Sequence, residues 1–130
     1  MSPRVRRGGK GITQLTPEEK VRLSEVALLD ARAVDPLLLD MHELTLITDY
    51  FLICHGTSNV HIRGLADAVR DAFEERGVRP LGVEGYKDAS WILLDYGDLI
   101  IHIFAEEERA SYSLERLWSD APQVAPSSLK

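Results

Sequence analysis

The sequence predicts one α/β (α+β) domain: a mixed β-sheet of about five strands with flanking helices. Three observations lead there. Two segments have apolar residues at three- and four-residue spacing behind capping residues, the mark of amphipathic helices. Several short runs are rich in aliphatic and aromatic residues, the mark of strands. The two kinds of segment follow one another in the order α-β-β-α-β-β-β-α, and 130 residues suffice for one ordinary core.

Thr16-Pro17-Glu18-Glu19 is a helix start. Thr16 can cap, Pro17 suits the first helical position and Glu19 completes a capping box. Apolar positions from Val21 onward carry this helix to about Ala33. Pro36 to Asp40 reads as a buried strand, Met41 to Thr45 as a turn and Asp49 to His55 as a second strand. Gly56-Thr57-Ser58-Asn59 is a loop with Ser58 as candidate N-cap. Val60, Ile62, Leu65, Ala66, Val69, Ala72 and Phe73 define the second helix, with Gly77 as its C′ residue. Val78 to Val83 is a third strand, placed at an edge by Pro80. Trp91 to Asp95 and Asp98 to Phe104 form a hairpin, and Glu106 to Trp118 a last helix. Residues 1–15 read as a flexible basic tail, 16–120 as the domain and 121–130 as a flexible C-terminal tail.

A two-residue turn at Tyr96-Gly97 sets the expected hairpin register, with Asp95 opposite Asp98 and Trp91 opposite His102. Side chains alternate between faces. Ile92, Leu94, Leu99, Ile101 and Ile103 make one face, which is core. Trp91, Leu93, Asp95, Asp98, Ile100 and His102 make the other. Two opposed carboxylates repel each other, and a basic partner would relieve them. A Trp beside charge also suits a binding hot spot. The alternative is a half-covered face on which Asp95 caps the turn.

Composition narrows the function. The chain carries −6 overall, while residues 1–15 hold Arg4, Arg6, Arg7 and Lys10 and no acid. The remaining residues therefore carry −10, a balance that disfavours general nucleic-acid binding and favours a basic protein partner. No apolar run approaches the ~20 residues of a membrane helix, and the N-terminus lacks a secretory h-region. The single cysteine, Cys54, rules out an internal disulfide, fits a reducing compartment and lies in an apolar run as a buried thiol. Cys54, His55, His61 and His102 lack tight metal-ligand spacing. Asp95 and Asp98 near a turn suit capping better than acid–base catalysis. Gly56-Thr57-Ser58 is the most enzyme-like element, because a Gly-Ser loop before a helix can hold phosphate. The acid pair of a nucleotidyltransferase is missing after it. The enzyme alternative is a nucleotidyltransferase-like protein using Ser58 with Asp40 or Asp98.

Several linked motifs resemble the ribosomal silencing factor family, also called RsfS or Iojap. They are Ala31-Arg32-Ala33-Val34-Asp35 with Leu39-Asp40, Thr48-Asp49-Tyr50-Phe51-Leu52-Ile53, the Gly-x-Ser start of the second helix, and Glu84-Gly85. Further on come Trp91 through Asp98, His102-Ile103-Phe104, Glu108-Arg109, Tyr112 and Leu114-Glu115-Arg116-Leu117-Trp118. Arg32 stands where lysine is common, and the Arg-rich tail is outside the family pattern. The resemblance implies a fold similar to nucleotidyltransferases without their active site, no catalysis, no metal and no cofactor. It implies a cytoplasmic protein that binds ribosomal protein L-fourteen on the large ribosomal subunit. Bound there, such a protein blocks joining of the small subunit and represses translation when nutrients are scarce. Homodimers of the free protein and a minor rRNA contact by the basic tail are compatible with it. Carried over by position, the partner-binding residues are Glu84, Gly85, Tyr86, Trp91, Leu93, Asp95, Tyr96, Asp98 and His102. Glu108, Arg109 and Tyr112 pack the last helix, and Tyr112 to Trp118 brace the hairpin from behind.

Overall fold

In the computed structural model, which describes residues 15–124, the capping box forms as expected. The Glu19 N–H donates to the Thr16 hydroxyl at 3.1 Å, and the Thr16 N–H donates to the Glu19 carboxylate at 2.8 Å. Helix α1 (Pro17–Asp30) stops short of Ala33 because Arg32 turns the chain with a left-handed φ of 70°. Strands β1 (Val34–Asp40) and β2 (Tyr50–Gly56) lead into helix α2 (Asn59–Glu74). Ser58 caps α2 by accepting the His61 N–H at 3.0 Å. Gly77, at φ 75°, is the C′ residue of a Schellman ending: Val78 N–H bonds the Phe73 carbonyl at 3.0 Å and Gly77 N–H that of Glu74 at 2.9 Å. Strands β3 (Gly82–Glu84), β4 (Trp91–Asp95) and β5 (Leu99–Ala105) follow, then helices α3 (Glu106–Tyr112) and α4 (Leu114–Leu117) and strand β6 (Gln123–Val124).

The six strands form one mixed sheet in the order β3-β4-β5-β2-β1-β6, with β2 and β5 parallel and the other pairs antiparallel. Helices α1 and α2 cover one face. Val21, Leu28, Leu65 and Phe73 meet Leu52, Cys54, Leu94 and Ile101 there, all buried. Cys54 is fully buried, and burial pushes its thiol up to about 12. A smaller cluster of Leu39, Ile53, Phe104, Leu114 and Ala121 lies on the opposite face.

The structure corrects four expectations. The hairpin turn is Gly97-Asp98, closed by Tyr96 N–H to the Leu99 carbonyl at 2.9 Å, so Asp95 pairs with Ile100 and Trp91 with Phe104. A turn at Tyr96-Gly97 would ask an aromatic residue for positive φ. Shifting it by one residue puts Gly97, at φ 86°, in the position where a type II′ turn takes glycine. This moves the register by two residues, so every side chain that stays in the two strands keeps its face, while Asp98 leaves the strand for the turn. The third strand is shorter than Val78 to Val83 and leaves Pro80 outside, although it does lie at the sheet edge. The last helix breaks at Ser113, which has φ 49°. Residues 121–124 are not a loose tail. Ala121 is buried, Asp40 N–H bonds the Pro122 carbonyl at 2.9 Å, and β6 pairs with β1. The expected basic tail lies outside the described residues, except for Leu15, which is buried.

Tyr96 supplies a test of this packing. Its ring stacks on Phe73 with centroids 3.9 Å apart, and its buried hydroxyl has no hydrogen-bond partner among the described residues. A buried unpaired hydroxyl costs about 1–3 kcal/mol relative to a solvated one. Tyr96→Phe keeps the stack and removes that cost, so it should raise the urea midpoint without changing the slope. A lower midpoint would mean that the hydroxyl is satisfied.

Candidate partner-binding site

The hairpin faces survive the register change, but the nine residues expected at one surface divide into two groups. Cross-strand pairing places Glu84, Leu93 and His102 in one row and Asp95 with Ile100 in the next. Trp91 pairs with Phe104 in a third row. These rows lie on the face opposite α1 and α2. Glu84 is exposed, whereas Trp91, Leu93 and Asp95 are half-buried. Asp95 also accepts the Gly97 N–H at 2.8 Å, so the turn-capping role applies to it.

The other members hold the fold from elsewhere. Tyr96 packs on α2. Tyr86 donates its hydroxyl to Asp67 of α2 at 3.0 Å, and the phenol's pKa is raised by that bond. Asp98 does not oppose Asp95. Its carboxylate pairs with Lys20 of α1 at 2.7 Å, and its carbonyl accepts the Asp49 and Tyr50 N–H groups, both at 3.1 Å. The Lys20 ammonium also donates to the Tyr96 carbonyl at 2.9 Å, which ties α1 to the hairpin tip. Gly85 has φ 78°, and its backbone lies against the Trp91 carbonyl.

His102 is the buried floor of the site at 4% exposure. Trp91 Nε1–H donates to its Nδ1 at 3.1 Å, which assigns the proton to Nε2. That Nε2–H has no hydrogen-bond partner among the described residues. Burial pushes the imidazole pKa down to about 4, because no nearby acid offsets the cost of charging it in an apolar pocket.

Sequence reasoning missed the rings around His102. Phe51 meets it edge-on at 4.7 Å, Trp118 meets Phe51 at 6.0 Å, and Trp91 lies against both Phe104 at 4.9 Å and Tyr112 at 4.7 Å. Each such pair contributes about 0.5–1.5 kcal/mol beyond area burial. Tyr112 and Trp118 therefore pack on the same face as Trp91, which corrects the expectation that they brace it from behind. Phe51 and Phe104 could be assigned to a strand from the sequence, but not to this face without the β2–β5 pairing. Arg109 does pack its helix onto the sheet, donating to His55 Nδ1 at 3.0 Å and the Val34 carbonyl at 3.3 Å.

The loop at Gly56-Thr57-Ser58 is occupied by the protein itself. The Thr57 N–H donates to His61 Nδ1 at 3.0 Å, His61 Nε2–H donates to the Ala31 carbonyl at 2.9 Å, and the Ser58 hydroxyl takes the His61 N–H. Two amides that a phosphate cradle would need are thus already bonded. A Cβ on Gly56 would lie 2.8 Å from Ile62 Cγ1, so close packing of α2 against β2 accounts for this glycine. Among the described residues no group of three or more His, Cys, Asp or Glu side chains could hold a metal ion, and no helix is long and apolar enough to cross a membrane.

These elements define a one-domain α/β protein whose mixed sheet carries α1 and α2 on one face and an aromatic strip, flanked by α3 and α4, on the other. Residues 14–130 match the family described as "Ribosomal silencing factor during starvation". The ribosomal silencing factor RsfS of Bacillus subtilis is 42% identical over 102 residues, covering 78% of this chain and 86% of the relative. That of Halalkalibacterium halodurans is 39% identical over 110 residues, covering 85% of this chain and 94% of the relative. A crystal structure of a Chromobacterium violaceum protein superposes with a TM-score of 0.79 at 31% identity, covering 81% of this chain and 88% of that one. The chain belongs to the ribosomal silencing factor family.

Proposed function

We propose that this chain binds the large ribosomal subunit through ribosomal protein L-fourteen, blocks joining of the small subunit and so represses translation when nutrients are limited. In this reading it acts in the cytoplasm as a steric regulator and catalyses nothing. Family membership supports the ribosome as target. The observation that carries the surface is the strip formed by Glu84, Trp91, Leu93 and Asp95, where apolar area adjoins two carboxylates on an acidic protein. Such a strip suits a basic protein surface, with aromatic and aliphatic area for affinity and carboxylates for orientation and on-rate. His102 takes part by orienting Trp91, and Tyr96 and Asp98 by holding the hairpin tip on the helices. Self-association of the free protein is a further property of this reading, measurable by light scattering across a concentration series.

The test uses variants that spare the framework. Trp91→Ala would empty the ring cluster and Asp95→Lys would uncap the turn, so both would confound binding with folding. Glu84→Lys and Leu93→Lys change side chains with outward surface. Each should weaken co-sedimentation with free large subunits by about tenfold or more, the equivalent of ~1.4 kcal/mol, and relieve inhibition of subunit joining. If the unmodified protein does not pellet with large subunits, the function is wrong. If it pellets and both variants pellet equally well, only the surface is wrong.

A further inference from the structure

The helical side carries a second surface that the sheet face does not use. Helices α1 and α2 run antiparallel, since Ala31 at the end of α1 meets His61 at the start of α2. Between them lies a groove of about 360 Å³. Leu23, Val26, Ala27, Ala68 and Ala72 line it, and Asp30, Asp71 and Glu75 stand around it. All three acids are exposed, and among the described residues none is in a salt bridge. Val26 remains 58% exposed on a helix whose other face is already buried.

We propose that this groove is the docking site of the chain's own basic segment, Arg4 to Lys10. Charge, composition and reach all point to that occupant. The segment reads Arg4-Val5-Arg6-Arg7-Gly8-Gly9-Lys10 and contains no acid, whereas the rest of the protein is strongly acidic. Val5 matches the apolar floor, and the flanking arginines match the three carboxylates. Leu15 sits at the start of α1, and the groove spans Leu23 to Ala31, about 12–24 Å along the helix. Arg7 reaches about 26 Å from Leu15 and Arg4 about 36 Å, enough to cover it. Gly8, Gly9 and Gly11 permit the reversal that such a path needs. Tethering gives the segment an effective concentration of order millimolar, so weak contacts suffice. A second copy is a poor occupant by the same logic, because its groove would bring the same acids against these.

Paramagnetic relaxation in the full chain tests the proposal. Cys54 is fully buried, so a thiol spin label on Ser2→Cys goes to the basic segment alone. Amide signals of Ala27, Ala68 and Ala72 should lose more than half their intensity relative to the reduced label. The loss should disappear in Asp71→Lys/Glu75→Lys, and also in about 1 M salt, where the Debye length falls to about 3 Å. The salt arm stands even if the double variant folds poorly. Absence of broadening at these alanines, or broadening indifferent to both salt and charge reversal, overturns the proposal. So does equal broadening of an isotope-labelled chain without a spin label when it is mixed with a spin-labelled chain, which would mean docking on a second copy.

Discussion

Gly85→Ala should be among the most destabilising single-methyl additions this protein can suffer, lowering its stability by about 2–5 kcal/mol. Two effects combine. Gly85 sits at φ 78°, a conformation that penalises any Cβ, and a Cβ built there would lie 2.0 Å from the Trp91 carbonyl oxygen and 3.1 Å from its carbon. Both contacts are backbone, so no rotamer change relieves them. The β3–β4 connection would have to open, displacing Glu84 on one side and Trp91 on the other. A loss of about 3 kcal/mol would lower the melting temperature by roughly 10–15 °C in a domain of this size. Gly64→Ala is the matched control. It lies in α2 with nothing beyond its own helix backbone within 4 Å of its Cβ position, so it should gain up to about 1 kcal/mol from helix propensity. Thermal unfolding followed by circular dichroism reads both. A Gly85→Ala protein that melts with its parent would mean the connection has another conformation.

The second large effect is a loss of stability in acid caused by His102. Folding holds its pKa near 4, against about 6.5 for the free side chain. Above pH 6.5 the imidazole is neutral in both states and contributes no pH dependence. Below 6.5 the unfolded chain takes up a proton that the folded protein refuses, so stability falls as pH falls, until the folded state also protonates near pH 4. The slope is about 1.4 kcal/mol per pH unit, so this group alone should remove up to about 3 kcal/mol between pH 6.5 and 4. His102→Asn leaves an acceptor for the Trp91 indole N–H and nothing to titrate. Urea unfolding across that pH range should show the unmodified protein losing stability faster than the variant. Groups common to both chains cancel in the comparison, including His42, whose pKa is raised by its hydrogen bond to Asp40. Parallel curves for the two proteins would show that His102 is charged or solvated when folded. Because the same imidazole orients Trp91 and stays neutral in the folded protein down to about pH 4, its titration should leave the proposed surface unchanged above that pH.

These results separate two uses of one hairpin. On the proposed surface, Trp91 and Leu93 would offer area to a partner because His102, Phe51 and Phe104 pack against them. Tyr96, Tyr86 and Asp98 belong to the same linear motif but face the helices. A run such as Trp91 to Asp98 thus carries both the proposed contact surface and the means of fixing it to the domain. Alanine substitutions along it would mix the two unless folding is measured alongside binding.

What the sequence determined by itself was local. The Thr16–Glu19 box, the Ser58 cap and the Gly77 ending involve groups a few residues apart, so residue type and spacing suffice to predict them. The two faces of the hairpin were also legible, because strand side chains alternate whatever the register. The tertiary structure decided everything that depends on distant pairing. It chose Gly97 over Tyr96 for the positive-φ position and so removed the opposed Asp95 and Asp98. It joined Asp98 to Lys20, 78 residues away, and brought β6 to β1. It also folded α3 and α4 onto the sheet face that carries Trp91, which left Glu84, Leu93 and Asp95 with outward surface and sealed His102 beneath. Hydrogen-bond geometry near the turn and packing across the sheet govern these choices, and neither is encoded in the spacing of residues along the chain.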